Sequence, residues 1–195
     1  SAYDRLWEAR KIWGGIVNAS RAFGIMVNHF ITNEVAKEPA SEAELVSIRK
    51  ELILRHVAWM TALRHAMRQK RPWEDHLRRK TNREWAERIG VREHHYSLDE
   101  EIEPYLSEEE KAHIDSKSNK AAQILNLQSK QLLELKLRGL IEDFRHMEME
   151  NALVELYALQ GKSERTMLLF YRNMIMLGVH DPWFRQSTCG GSLLR

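Results

Sequence analysis

The chain of 195 residues is poor in the residues that interrupt or cross-link secondary structure, with one cysteine, four prolines and nine glycines. A lone cysteine, Cys189, excludes an intramolecular disulfide and cannot build a thiolate metal site by itself. No apolar run reaches the roughly 20 residues that a membrane-spanning helix needs. The nearest candidate, residues 166–179, contains Arg172 and Asn173. We therefore expect that this chain alone does not cross a membrane.

The charge of the chain is almost balanced, because 30 basic residues face 28 acidic ones and leave a net charge of +2. Such a total gives no general attraction to nucleic acid, so we expect no nucleic-acid partner. With 43% hydrophobic and 30% charged residues, the composition is typical of a globular, helix-rich protein.

Apolar residues three or four positions apart predict a long amphipathic helix over residues 3–31. The positions that this spacing assigns to its buried face are Leu6, Ala9, Trp13, Ile16, Phe23, Met26 and Phe30. A second long helix is predicted from Ser41, where Glu44 three residues later completes a capping box, as far as Pro72.

Shorter helices are predicted between residues 71 and 116. Their starts are marked by the capping-box pairs Thr81/Glu84, Ser97/Glu100 and Ser107/Glu110. Long helices are then expected over residues 117–138 and 140–160, with Gly139 as a bend or cap between them and Gly161 as the end of the second. No stretch alternates apolar and polar residues as a strand would, so the sequence predicts an all-α fold.

Histidine pairs do not indicate a catalytic or metal site. His94 and His95 are adjacent, and adjacent side chains on a helix point in different directions, so they do not form the paired zinc ligands of a helical site. His56 and His65 lie nine residues apart among arginines, with no carboxylate at hydrogen-bond spacing. We interpret them as a polar or partner-facing stripe rather than an acid/base pair.

Two charge clusters have one functional and one structural interpretation each. The acidic residues at 100–110 lack the alternating oxygen ligands and central glycine of a calcium loop, which favours a solvated helix surface. The basic residues at 68–83, interleaved with Trp73 and His76, are either a phosphate-binding patch or an exposed amphipathic segment, and the second is favoured. No phosphate-binding glycine loop or nucleophile motif occurs, so no enzyme, metal or cofactor is predicted.

Three blocks of sequence, in this order, resemble the bestrophin family of ion channels. Residues 2–14, AYDRLWEARKIWG, look like the stretch that follows the second membrane helix of bestrophin-like channels. Residues 55–68, RHVAWMTALRHAMR, resemble a cytosolic helix of the form R-x-[IV]-A-x-x-x-x-L-[RK]-x-x-L-R. Residues 128–161 run into Gly-Lys-Ser-Glu-Arg at 161–165, which is similar to the family's G-x-[CS]-E-R.

The resemblance implies an all-helical homopentamer around a central pore, in the cell membrane, with this region as a vestibule on the cytoplasmic side. It covers about residues 1–165, and residues 166–195 diverge into a separate C-terminal segment. Permeation of small ions would then be passive, through membrane spans that this chain lacks. Family members include anion and cation channels, so the permeating ion stays open. The calcium clasp of eukaryotic members uses a part of the family that is absent here.

One pore residue can be carried over from the resemblance. The family places an apolar side chain at the cytosolic aperture, after a glycine and at the start of the helix that precedes G-x-[CS]-E-R. In the run from Gly139 to Phe144 this position is Phe144. The alternative is that Phe144 is an ordinary core residue, since Leu140, Phe144 and Met147 fall on one helical stripe. A soluble helical interaction protein without conduction is the alternative function.

Overall fold

A computed structural model describes the backbone of residues 2–68, 80, 84, 93 and 95–180, and the side chains of residues 4, 7–68, 80, 84, 93 and 95–166. These ranges contain six α-helices: α1 (Ala2–Phe30), α2 (Glu42–Arg68), α3 (Leu98–Ile102), α4 (Glu108–Asp115), α5 (Lys120–Leu137) and α6 (Asp143–His180). One turn of 3-10 helix, Glu103–Tyr105, joins α3 to α4. The described ranges contain no strand, so the prediction of an all-α fold is confirmed.

The four long helices form the bundle. Helix α1 packs along α6, α2 packs against α5, and α5 packs against α6. Helix α2 also contacts α1 and α6, while α3 and the 3-10 turn lie against α2 and α4 lies against α5. The core between them includes Phe23, Leu52, Trp59, Leu132 and Leu156, all fully buried. Burial of each such side chain contributes about 1.5–3 kcal/mol, which makes this packing the main source of stability.

The buried face of α1 differs from the predicted one. It is formed by Ile12, Ile16, Ala19, Phe23 and Val27, which follow helical spacing along one stripe. The prediction placed Trp13 on this face, and that was wrong, because Trp13 is 44% exposed. Ala9 is exposed as well. The buried stripe of α1 thus includes Ile12, one residue before the tryptophan.

The predicted helix starts at serines are confirmed where the structure describes them. Ser41 accepts a hydrogen bond from the Glu44 amide at 3.2 Å and begins α2. Ser97 and Ser107 form complete capping boxes with Glu100 and Glu110 at the starts of α3 and α4. The remaining one of the four predicted boxes, at Thr81, and the predicted stop of α2 at Pro72 lie outside the described residues.

The turn between α5 and α6 is built around Gly139, as predicted. The Gly139 amide donates to the Lys136 carbonyl and the Leu140 amide to the Leu135 carbonyl, both at 2.9 Å, which is the Schellman pattern. The Leu140 carbonyl then accepts from the Thr32 amide at 2.9 Å, just beyond the end of α1. The start of α6 is thereby fixed against the α1–α2 connection.

Helix α6 is longer than the sequence predicts. We expected it to end at Gly161, and this was wrong, because α6 continues as far as His180. A glycine within a helix is tolerated when the surrounding chain stabilises the helix, and a Cβ at Gly161 would have no atom within 4 Å. The predicted boundary between a domain of residues 1–165 and a segment of residues 166–195 therefore falls within this helix and stays a prediction.

Candidate functional site: the exposed face of the last helix

Phe144 lies in the first turn of α6 and is 62% exposed. Its backbone position is fixed by Glu142, whose side chain accepts a hydrogen bond from the Arg145 amide at 3.2 Å. The Glu142 carbonyl accepts from the His146 amide at 2.8 Å. In the single chain Phe144 is therefore not a core residue, whereas Leu140 is fully buried. The pore role of Phe144 stays a prediction.

Phe144 begins an exposed apolar face that runs along α6. Its other members are Met147, Val154 and Tyr157, each more than half exposed. The spacing of 144, 147 and 154 keeps the first three on one stripe of the helix, and Tyr157 borders it. Leu133 and Leu137 of α5 are exposed too. Apolar side chains exposed in a row along one helix indicate a surface for contact with other molecules.

The charged residues beside Phe144 are held in ion pairs. The guanidinium of Arg145 lies 2.9 Å from the Glu34 carboxylate and 5.9 Å from the centre of the Phe30 ring. On the other side, Lys136 Nζ lies 3.4 Å from the carboxylate of Asp143. Phe144 is thus presented from a rigid helix start between two neutralised pairs.

The inner face of α6 is anchored by a polar network near the Gly-Lys-Ser-Glu-Arg run. Trp59 Nε1 of α2 donates to Gln160 Oε1 at 2.9 Å. Gln160 Nε2 donates to Glu164 at 2.9 Å and to Asn119 at 3.2 Å. Asn119 also begins α5 by accepting from the Ala122 amide at 3.0 Å. One glutamine therefore links α2, α5 and α6.

Arg55, the first residue of the second matched block, is the centre of a buried network that the sequence did not indicate. The residue is 3% exposed. Its Nε donates to Glu110 at 2.6 Å and its Nη2 to Glu51 at 2.6 Å. Nη1 donates to Gln128 at 2.9 Å and also to Gln131. Only Glu51 is a neighbour along the helix; the other partners lie 55 or more positions away, so no local spacing reveals them.

The interpretation of His56 and His65 as a polar or partner-facing stripe was wrong, because both are buried inside the chain. His65 Nε2 lies 2.6 Å from a carboxylate oxygen of Glu101, which also pairs with Arg64. This partner is 36 positions away, beyond the reach of a spacing argument. His56 instead stacks on the Phe23 ring and contacts the tilted Trp59 ring.

The acidic and basic clusters of the sequence have structural partners where the structure describes them. Glu101 and Glu110 face α2 and pair with its basic residues. Glu93 pairs with Arg64 and Arg68. Most of the basic cluster at 68–83, with Trp73 and His76, lies outside the described residues, as does His94. Among the described side chains, no three of the metal-binding types His, Cys, Asp and Glu come together.

No helix in the described part of the chain is long and apolar enough to span a bilayer. This holds for α6, the longest helix, over the part of it that the structure describes.

The comparisons with solved structures find the same fold in bacterial bestrophins. One variant of a bacterial bestrophin homologue from Klebsiella pneumoniae matches with a TM-score of 0.61 at 21% identity, over 84% of this chain and 47% of that one. Another matches with a TM-score of 0.62 at 20% identity, over 90% and 54%. The chain thus spans about half the length of these structures.

The sequence comparisons agree on the family. No curated protein sequence matches the chain. The family model described as bacterial/fungal bestrophin protein matches residues 1–169, which includes all three blocks quoted above. This match covers most of the 195 residues. The chain belongs to the bestrophin family.

Proposed function

We propose that this chain forms the cytosolic vestibule and assembly region of a bestrophin-like channel that conducts small ions passively. Two observations support this function: the membership of the family and the exposed apolar face of α6. The complete protein would lie in the cell membrane, with this region on the cytoplasmic side. The membrane spans would be supplied by sequence outside the described helices.

The specific role proposed for Phe144 is the constriction of the pore. The backbone that carries this exposed phenyl ring is held by Glu142 and by the Gly139 turn, so the ring projects from a fixed place at the start of α6. In a ring of five subunits, five such side chains at the axis would narrow the passage and disfavour water within it. Size and dewetting would then limit which hydrated ions pass.

The substitution Phe144→Ala in the complete, reconstituted protein tests this role. We expect a larger single-channel conductance and a changed permeability ratio between large and small ions, because the alanine ring leaves a wider and less apolar constriction. The measurement is planar-bilayer recording with ions of graded size. Val46→Ala is the matched control, since Val46 is a similarly exposed apolar residue on α2.

Unchanged conductance and selectivity in Phe144→Ala, with assembly intact, would remove Phe144 from the permeation path. A change of equal size in Val46→Ala would show that the effect is not specific to this end of α6.

The exposed face of α6 also predicts self-association. We expect the complete protein to have the mass of a homopentamer in detergent, and we expect Val154→Glu with Tyr157→Glu to reduce that mass. Both side chains are more than half exposed in the single chain, and a buried carboxylate in a subunit contact is strongly unfavourable. Light scattering measures the mass, with Val46→Glu as the control. A protein that stays monomeric at high concentration would favour a helical interaction protein without conduction.

A further inference from the structure

His56 occupies an unusual position in the contact between α1 and α2. Its imidazole is 5% exposed and stacks on Phe23 of α1, with ring centres 5.2 Å apart and an angle of 30° between the planes. Its second aromatic neighbour is Trp59, one helical turn further along α2, with ring centres 5.1 Å apart and an angle of 38° between the planes. The imidazole therefore contacts one aromatic ring of α1 and one of its own helix.

Neither nitrogen of this imidazole has a hydrogen-bond partner among the described residues. His65, on the same helix and also buried, places its Nε2 2.6 Å from the carboxylate of Glu101. A positive charge on His65 would therefore be matched by a nearby negative one. A positive charge on His56 would have no such partner.

The charged and titratable groups on the surrounding helices do not supply a partner for a positive charge on His56. On α2 itself, the Arg55 guanidinium is hydrogen-bonded to residues of α2, α4 and α5. On α1, Arg21 and His29 are exposed, and the described buried residues are apolar. On α6, Glu155 is exposed, Glu148 is half-buried, Glu150 accepts from Ser129, and Glu164 accepts from Gln160. None of these carboxylates forms an ion pair with His56.

We propose that His56 makes the contact between α1 and α2 sensitive to acid: neutral His56 holds the two helices together, and protonated His56 loosens them. The aromatic faces attract a cation, but such contacts are weak compared with the cost of removing an unpaired ion from water. The protonated ring gains hydration only when Phe23 moves away from it. Because Trp59 is hydrogen-bonded to Gln160 of α6, the same movement disturbs the contact between α2, α5 and α6.

The pH range follows from the titration of this group. Burial lowers the pKa of His56 to about 4, against 6.5 for an ordinary histidine. The unfolded or opened form therefore binds the proton first, and stability is lost as the pH falls from about 6.5 towards 4. The pKa of Glu93 is also lowered. Burial raises this pKa, but hydrogen bonds and the charges of Arg68 and Arg64 lower it by more. Its contribution is lost only below about 4.5, so a comparison at pH 7 and pH 5 separates the two.

The test measures urea unfolding of the chain at pH 7 and at pH 5. With a His56 pKa of about 4 in the folded chain and 6.5 in the unfolded one, we expect the unfolding constant of the unaltered chain to be about 20-fold larger at pH 5 than at pH 7. His56→Leu, which has no titratable group, should lose this pH dependence, whereas His29→Gln, at an exposed position of α1, should retain it. At pH 5, amide hydrogen exchange over residues 20–27 should be slower in His56→Leu than in the unaltered chain.

A second measurement needs no substitution, in case His56→Leu does not fold. The ring protons of the histidines, followed by NMR, should show one residue titrating near pH 4 in the folded chain. If all assigned histidines titrate near 6.5, or if His56→Leu keeps the pH dependence of the unaltered chain, His56 is not acid-sensitive and the proposal is overturned.

Discussion

Replacement of Arg55 by methionine is expected to lower the free energy of unfolding by about 3–5 kcal/mol, which is the usual cost of removing one partner of a buried ion pair. The stability is lost because the partners of Arg55 remain in the core without their donor. The side chain of Glu110 is only 15% exposed and would lose the guanidinium that pairs with it. The amide oxygens of Gln128 and Gln131 would lose their donor as well. Three elements, α2, α4 and α5, meet at this one side chain.

Urea unfolding followed by circular dichroism measures this loss, with Arg21→Met as the control. Arg21 is an exposed arginine of α1, where the same substitution should change stability by less than about 0.5 kcal/mol. Equal stability of the two variants would mean that the Arg55 network contributes nothing beyond a surface charge.

A second substitution distinguishes two causes of this loss of stability: the unpaired carboxylate of Glu110 and the lost packing of the Arg55 side chain. Glu110 uses one carboxylate oxygen for Arg55 and the other for the Ser107 amide, at 2.9 Å, so it connects the cap of α4 to the core of the bundle. Glu110→Gln keeps the shape and removes the charge. In the Arg55→Met background it should therefore recover about 1 kcal/mol or more of the lost stability. No recovery would place the cost in lost packing instead.

The sequence predicts those parts of the fold that depend on neighbours three or four positions apart. Ser97 and Ser107 bind the amides of Glu100 and Glu110 in the same short segment, so their patterns can be read directly. Gly139 is recognisable for a similar reason, because the left-handed turn needs a residue without a side chain. Trp13 shows the limit of periodicity: the pattern indicates a helix, but the choice between Ile12 and Trp13 depends on the shape of the opposing helix.

The polar contacts of the core could not be predicted because their partners meet only after folding. Arg55 and Gln128 are 73 positions apart, and Trp59 and Gln160 are 101 apart. The matched blocks at residues 55–68 and 128–165 contain all four of these residues, so the contact between the two blocks explains their pairing within the fold.

Phe144 was interpreted either as a pore residue or as a core residue, and helix geometry explains why the core interpretation fails. The core alternative depended on Leu140, Phe144 and Met147 lying on one helical stripe. Leu140 precedes the start of α6 at Asp143 and belongs to the Gly139 turn, so it does not follow the helical phase. It turns into the core while Phe144 and Met147 stay outside. A period of 3.6 residues predicts a shared face only within one continuous helix.

Replacement of Gly139 by alanine is expected to destabilise the chain by at least about 2 kcal/mol. Its φ of +75° costs about 1–2 kcal/mol for a residue with a side chain. A Cβ there would also lie 2.7 Å from the Val35 carbonyl oxygen, so the α1–α2 connection would have to move. Because the same turn positions the start of α6, conductance of the complete protein should change together with stability.

Two further variants separate the backbone cost from the steric one. Gly14→Ala, in the exposed interior of α1 with no atom near the new Cβ, should stabilise the chain by about 0.5–1 kcal/mol, because alanine favours helix. Gly139→Asn tolerates the left-handed backbone but still places a Cβ against Val35, so it should be nearly as destabilising as alanine. If urea unfolding instead shows Gly139→Asn to be as stable as the unaltered chain, only the left-handed backbone restricts the residue at this position, and the contact with Val35 does not constrain the turn.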